Sequence, residues 1–208
     1  MRMYPIKSQA SLPLEMLLDK ARLLGFLAGD GTITYLPGRT CQVRAHCGPD
    51  REMVDVVVRW FDQVYGLWAS HKTLEPGEAK RKQVYNYVQC SSRLMVEELL
   101  SLGKFGMYRW DVPGFIVNGS DALRAAWISG FFEAEGHVYW NEKHHARQVC
   151  ATSVNKAGLE QVRSMLSGLN INSTFGLLNK AAPEKNTLDS YRITIHFHED
   201  IKKYRDVV

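Results

Sequence analysis

The chain has 208 residues, is 45% hydrophobic, and carries a formal net charge of +4 with a pI of about 8.8. No segment approaches the roughly 18 to 20 consecutive apolar residues that a membrane span requires, and no signal-type apolar run follows the N-terminal residues. This composition argues against a membrane or secreted protein and predicts an intracellular globule, cytoplasmic or nucleoid-associated, whose basic balance suits a polyanionic partner.

The first half of the chain reads as helix, hairpin, helix, two strands and helix. Apolar residues at spacings of three and four predict a helix over 11–30, with Gly31 as its C-terminal cap. Strand-like runs at 32–35 and 41–46 are separated by the turn 36–39, which predicts a hairpin. The elements expected next are a helix near 50–65, strands around 71–74 and 83–90, and a helix at 93–102.

The second half repeats this order of elements. Ser120 is a good N-cap for a helix that we predict to end at Glu135, with Gly136 as its cap. Strands are expected at 137–141 and 148–153, again as a hairpin. The remaining elements are a helix near 155–169, strands at 174–179 and 191–197, and a short helix from 200.

Element order and spacing therefore predict a tandem repeat of an α-β-β-α-β-β-α unit. The helices that follow the two hairpins start 105 residues apart (155 − 50), although residue identity between the halves is low. We expect a first repeat over 1–102, a connecting segment over 103–119 and a second repeat over 120–208.

Each repeat begins with an apolar helix that ends in one acid followed by glycine. The two stretches are LLGFLAGDG at 23–31 and ISGFFEAEG at 128–136. A carboxylate in the last turn opposes the helix dipole by about 0.3 to 1 kcal/mol when exposed. A single helix of this kind is most simply a capped core helix. An acid stands at the same place in both repeats, as Asp30 and as Glu135, and this indicates a role beyond helix stability.

Small residues four apart lie on both of these helices. They are Gly25 and Gly29 on the first, and Gly130 and Ala134 on the second. Such residues let helix backbones approach closely, so parallel packing would make the two terminal acids neighbours. Close carboxylates repel unless they share a proton or hold cations, and Mg²⁺ prefers oxygen ligands. This pattern predicts an interfacial metal site suited to phosphodiester hydrolysis.

These two stretches resemble the paired motifs of single-chain LAGLIDADG homing endonucleases, and VPGFI at 112–116 followed by AAW at 125–127 resembles that family's approach to its second motif. The resemblance covers nearly the whole chain. It implies an α+β fold of two pseudo-two-fold repeats, with antiparallel sheets that form a DNA-binding saddle. It also implies a monomer without an obligate protein partner, encoded by an intron or an intein.

By this resemblance the protein is a site-specific endonuclease that hydrolyses both strands of a long asymmetric DNA target and leaves short 3′ overhangs. Asp30 and Glu135 would be catalytic and, with Gly29 and Ala134, would hold two or three Mg²⁺ ions at the repeat interface. Mn²⁺ would substitute for Mg²⁺, whereas Ca²⁺ would not support cleavage. The alternatives are a cleavage-deficient RNA maturase or a DNA-binding regulator on the same fold. A small-molecule hydrolase is disfavoured, because the chain lacks a Gly-rich phosphate loop and a GxSxG motif.

The sequence also departs from the family pattern. The sixth motif position holds Ala28 in one copy and Glu133 in the other, where the family often has Asp, so Glu133 would have a supporting role at most. The family commonly has a Gln and a Lys that organise water near the metals. The residues that could replace them here are His46, Cys47 and Lys104.

Long polar side chains cluster in the hairpins, as expected for strands that enter the major groove. In the first half the predicted DNA-contacting residues are Arg39, Gln42, Arg44, Lys72, Lys80, Arg81, Lys82 and Gln83. In the second half they are Tyr139, Asn141, Lys143, Arg147, Gln148, Lys180 and Arg192. Arg and Gln suit bidentate contacts to guanine and adenine, whereas lysines in turns more often contact phosphate. The competing interpretation is an ordinary solvated sheet face.

Overall fold

The computed structural model describes residues 12–36, 38–78, 82–106, 108–141, 146–182 and 187–208. Within these ranges the chain forms seven helices and eight strands, arranged as two repeats of the same order. The predicted α+β class and repeat order are confirmed. None of the described helices is both long and apolar enough to cross a membrane.

The first repeat follows the predicted order closely. Its elements are α1 (Leu14–Asp30), β1 (Gly31–Leu36), β2 (Thr40–Gly48), α2 (Arg51–Tyr65), β3 (Ser70–Leu74), β4 (Tyr85–Ser91) and α3 (Arg93–Leu102). The Asp50 carboxylate accepts the Met53 N–H at 3.0 Å and so caps α2. Strand β4 begins two residues later than predicted, because Gln83 precedes the ladder that Tyr85 starts with Leu74.

The second repeat is preceded by one short helix in the connecting segment. The elements are α4 (Gly114–Val117), α5 (Asp121–Glu135), β5 (Gly136–Asn141), β6 (Ala146–Ser153), α6 (Lys156–Gly168), β7 (Thr174–Asn179), β8 (Ser190–Ile195) and α7 (His198–Val207). Helix α7 begins at His198 rather than at the predicted residue 200, and it is as long as α3, with 10 residues each.

Each repeat contributes one four-stranded antiparallel sheet. The strand orders are β1-β2-β4-β3 and β5-β6-β8-β7, so the two sheets have the same topology. In the first sheet Gly31 pairs with Ala45, and in the second Gly136 pairs with Ala151. Positions 31 and 45 of one repeat therefore correspond to positions 136 and 151 of the other, and this register permits comparison residue by residue.

Alternate residues of each strand face the helices. Val43, Ala45 and Val88 of the first sheet are fully buried, as are Ile193 and Ile195 of the second. They join α1 and α5 in one hydrophobic core. We call the opposite side of each sheet, turned away from the helices, its outer face.

The strand begins at the residue directly after each terminal acid. A Cβ atom on Gly31 would lie 2.2 Å from the Leu27 carbonyl oxygen, and one on Gly136 would lie 2.2 Å from that of Phe132. Both glycines have extended backbones, with φ of −100° and −86°. Glycine is therefore required here for lack of space, and neither position is the left-handed cap that the sequence suggested.

Candidate metal centre and nucleic-acid interface

Close packing of α1 against α5 brings the two terminal acids together. A Cβ atom on Gly25 would lie 2.0 Å from the Trp127 carbonyl oxygen, and one on Gly130 would lie 1.9 Å from that of Arg22. At the helix ends, a Cβ on Gly29 would lie 2.7 Å from Ala134 Cβ and 2.8 Å from Glu135 Cγ. The four small residues singled out in the sequence all lie in this interface.

The two carboxylates are mostly shielded from solvent. Burial raises the pKa of Asp30 from 3.8 to about 6. Burial and then the nearby charge of Asp30 raise the pKa of Glu135 from 4.5 to about 7. Ionising both acids is therefore unfavourable unless positive charge is supplied between them.

The donor atoms at this interface are oxygens. Among the described residues, no group of three or more His, Cys, Asp or Glu side chains is arranged to hold a metal ion. The protein therefore offers the two carboxylates, together with last-turn backbone carbonyls that lack intrahelical partners, including those of Gly29 and Ala134. Such a set fits a hard divalent cation that keeps several water or phosphate oxygens.

A cleft of about 220 Å³ opens beside Asp30. The side chains of His46 and Cys47 from the first repeat line it, and Glu133 reaches it from α5. At the corresponding place on α1 stands Ala28, which is buried and carries no charge. The surroundings of the two acids therefore differ.

Cys47 and Lys104, which were both predicted to organise water, have different surroundings in the structure. Burial, followed by the charges of Asp30 and Asp50, raises the pKa of the Cys47 thiol to about 12. Cys47 therefore lines the cleft as a neutral group, and its Sγ donates to the Ala45 carbonyl at 3.8 Å. Lys104 lies outside the cleft, in the connecting segment, where its carbonyl accepts the Asp111 N–H at 3.3 Å.

A threonine and a histidine exchange places between the two repeats. His46 Nε2 lies 3.0 Å from Thr32 Oγ1, across neighbouring strands of the first outer face. In the second sheet, His137 stands at the position of Thr32, and Thr152 at that of His46. Each repeat thus has one histidine near the end of its motif helix, supplied by a different strand. His137 was missed from the sequence, although it follows Glu135 by two residues just as Thr32 follows Asp30.

Of the residues predicted to contact DNA, Gln42, Arg44 and Lys72 lie on the outer face of the first sheet. Arg39 is in the turn between β1 and β2, and Lys82 and Gln83 are exposed just before β4. Lys80 and Arg81 lie outside the described residues. Residues of β4 that share this face and were not predicted are Tyr85, Tyr87 and Gln89.

In the second sheet, Tyr139, Gln148 and Arg192 lie on the outer face. Asn141 ends β5 two residues beyond Tyr139, and Lys180 is exposed directly after β7. Lys143 lies outside the described residues.

Arg147, which was also predicted to contact DNA, lies on the other face of its sheet. It pairs with Trp140 and lies 4.7 Å from the centre of that ring, near His196 and Ile201. This is the face opposite to Gln148, because adjacent residues of a strand point to opposite sides. The sequence alone does not decide which of two adjacent polar residues faces outward.

The second half of the chain matches the model of a known protein family. Residues 122–208 match the family model described as a LAGLIDADG-like domain. The ribonucleoside-diphosphate reductase NrdEB subunit alpha of Bacillus subtilis (strain 168) is 25% identical over 169 residues, which cover 80% of this chain and 16% of that protein. The chain thus spans about a sixth of the length of this relative.

Two solved structures share the fold over nearly the whole chain. The homing endonuclease I-DmoI in complex with DNA and Mn is 16% identical, with a TM-score of 0.61 and coverage of 92% of this chain and 97% of that one. Other I-DmoI structures contain DNA and Ca, or target DNA in the presence of Mg. Full-length DUF199/WhiA from Thermatoga maritima is 12% identical, with a TM-score of 0.61 and coverage of 96% and 58%. The family resemblance is confirmed by a model that covers the second motif and by a fold that these structures share over both halves of the chain.

Proposed function

We propose that this protein is a site-specific DNA endonuclease that depends on divalent metal, because residues 122–208 match the model of a LAGLIDADG-like domain and 92% of the chain shares the fold of I-DmoI. It would cut both strands of a long asymmetric duplex, leave short 3′ overhangs and act as a monomer. The match to one segment of a much longer reductase chain supports an intron- or intein-encoded origin.

One observation carries the proposal. The chain keeps a carboxylate at the end of both motif helices, and helix packing that only glycine permits holds the two acids side by side. Their burial raises both pKa values, which is unfavourable for an anionic pair unless a cation is bound. Metal-assisted hydrolysis uses such a pair of acids, whereas contacts between the sheets and DNA do not require it.

Each part of the site has a distinct task. Asp30 and Glu135, with the carbonyls of Gly29 and Ala134, would hold Mg²⁺ or Mn²⁺ at the interface. When bound, such ions lower the pKa of coordinated water and stabilise charge on the leaving oxygen. His46 and Glu133 would orient water in the cleft beside Asp30, while the outer faces of the sheets hold the duplex in register.

The competing function is that of a regulator or maturase that keeps the fold and binds nucleic acid without cutting. Such a protein would bind nucleic acid with the same two sheets as the endonuclease, but it would not need the paired acids. The two functions therefore differ in what removal of the acids does, since binding alone should survive their replacement by amides.

Cleavage of a randomised duplex library tests the proposal. With Mg²⁺ the parent should cut one long sequence, whereas with Ca²⁺ it should bind that sequence without cutting it. Asp30→Asn and Glu135→Gln should each lose cutting by about 100-fold or more and still bind the selected sequence. Specific binding by the parent with no cutting in Mg²⁺ or Mn²⁺ would contradict the endonuclease and support the binding protein.

A further inference from the structure

Each sheet has one arginine within a strand on the described part of its outer face. They are Arg44 in β2 and Arg192 in β8, and both strands are central in their sheets. A guanidinium in the major groove can donate two hydrogen bonds to a guanine, through O6 and N7. The two arginines differ in their partners and in their place along the sheet.

Neighbouring side chains hold Arg44 in a fixed orientation. Its Nε donates to Gln89 Oε1 at 2.9 Å, and its Cζ lies 5.5 Å from the centre of the Tyr87 ring. Both neighbours belong to β4, the adjacent strand. Because Nε is already occupied, the two terminal NH₂ groups remain to donate together to a single ligand.

Arg192 lies beside open space. Its Nε is buried and has no hydrogen-bond partner among the described residues. The residue paired with it on β7 is Gly176, and a Cβ atom there would have nothing within 4 Å. A buried N–H next to an open surface indicates a place where a ligand supplies the acceptor.

The two arginines stand in different cross-strand rows. Arg44 is paired with Thr32 and Gln89, whereas Arg192 is paired with Thr152 and Gly176. A row here is a set of residues paired across neighbouring strands. When the two repeats are aligned by their strand pairing, Arg192 takes the position of Tyr87, and the row of Tyr87 is one row nearer the motif helix than that of Arg44. One row is two residues of strand, or roughly 7 Å, which is about two base-pair steps of B-DNA.

We propose that Arg44 and Arg192 each read one guanine of the target in the major groove, and that the guanine read by Arg192 lies about two base pairs nearer the centre of the site. Gln89 and Tyr87 are positioning residues that hold Arg44 for its contact. This inference rests on the proposed function, and it specifies which sheet residues make the target asymmetric.

The experiment is selection of bound sequences from a randomised duplex library in Ca²⁺, comparing the parent with Arg44→Lys, Arg192→Lys and Gln89→Leu. Each Arg→Lys variant should lose guanine preference about 10-fold or more at one position and keep it elsewhere, because lysine keeps the charge but lacks the planar fork of donors. The affected positions should lie in opposite half-sites at unequal distances from the centre. Gln89→Leu should weaken the preference at the Arg44 position only.

Arg163→Lys, on the exposed surface of α6, is the matched control and should leave the selected sequence unchanged. Equal weakening of binding to all sequences would mean that the arginines contact phosphate, and that outcome overturns the inference but leaves the endonuclease intact. Affected positions at equal distances from the centre would overturn the offset. A parent that selects no sequence at all would contradict the proposed function itself.

Discussion

A Cβ atom on Gly25 would lie 2.0 Å from the carbonyl oxygen of Trp127, which is closer than any side chain permits. Gly25→Ala should therefore force α1 and α5 apart and lower the free energy of unfolding by about 3 kcal/mol or more. Chemical denaturation monitored by circular dichroism measures this change.

Gly168→Ala is the control for that variant. Gly168 is also helical, and a Cβ there would meet nothing within 4 Å. It should leave stability unchanged or raise it by a few tenths of a kcal/mol, since alanine has the higher helix propensity. Equal losses in the two variants would contradict the close approach of the helices.

A buried lysine provides a second test of the fold. Lys20 on α1 is 1% exposed and forms an ion pair with Glu98 on α3, whose other oxygen accepts the Tyr65 hydroxyl at 2.7 Å. Lys20→Met should cost about 3 to 5 kcal/mol, because it leaves the carboxylate partly buried without its cation. Urea denaturation measures it, and Lys20→Met/Glu98→Gln should recover part of the loss. A larger loss in the double variant than in the single one would contradict this account.

The sequence predicted the repeat well because its signals are local. Helix caps such as Ser120 and Asp50, apolar spacing and turn residues are all written within a few positions of each element. Features that depend on the pairing of distant strands were missed. The strand register is needed to find that Gln89 lies beside Arg44, and that Arg147 and Gln148 point to opposite faces. A shift of the register by one residue would exchange the two faces of the strand.

The acid pair should make stability depend on pH. Because the folded-state pKa values of Asp30 and Glu135 are raised, the folded protein binds more protons than the unfolded chain between about pH 4 and pH 7. Without divalent cations, the free energy of unfolding should therefore fall across this range, by about 1 to 3 kcal/mol. The measurement is urea denaturation at several pH values in EDTA.

The double variant Asp30→Asn/Glu135→Gln should lack this part of the pH dependence of the free energy of unfolding, since amides do not titrate. At pH 8, Mg²⁺ should raise the melting temperature of the parent and not that of the double variant. A parent whose stability rises from pH 5 to pH 7 more than that of the double variant would contradict the raised pKa values.

The two strands of the target should be cut at different rates. One motif ends in Asp and the other in Glu, and the cleft beside Asp30 is also lined by Asp50 and Glu133. A difference of several-fold is expected, because a displacement of one methylene shifts the position of the carboxylate without changing its charge. A nicking time course on a duplex labelled on both strands would show it, and superimposable rates for the two strands would refute it.

The exchanged threonine and histidine predict effects that are specific to one strand. His46→Ala should slow one cut and His137→Ala the other, each by about 10-fold or more, because an imidazole N–H can hold a water or a phosphate oxygen. The same labelled duplex measures both rates. His198→Ala, on α7 and outside the cleft, is the control and should leave both rates unchanged. Equal slowing of both strands by either variant would contradict the assignment of one histidine to each half.

The direct passage from motif helix to sheet has a mechanical consequence. Only the peptide bonds at Gly31 and Gly136 separate the carboxylates from the first strands, and both glycines are closed in by the preceding helical turn. No loop absorbs a tilt of either sheet. In the proposed endonuclease, a distortion of the sheet at a mismatched base pair would therefore be transmitted to the acid of the same half. Fidelity would then be enforced at the scissile bond as well as in binding.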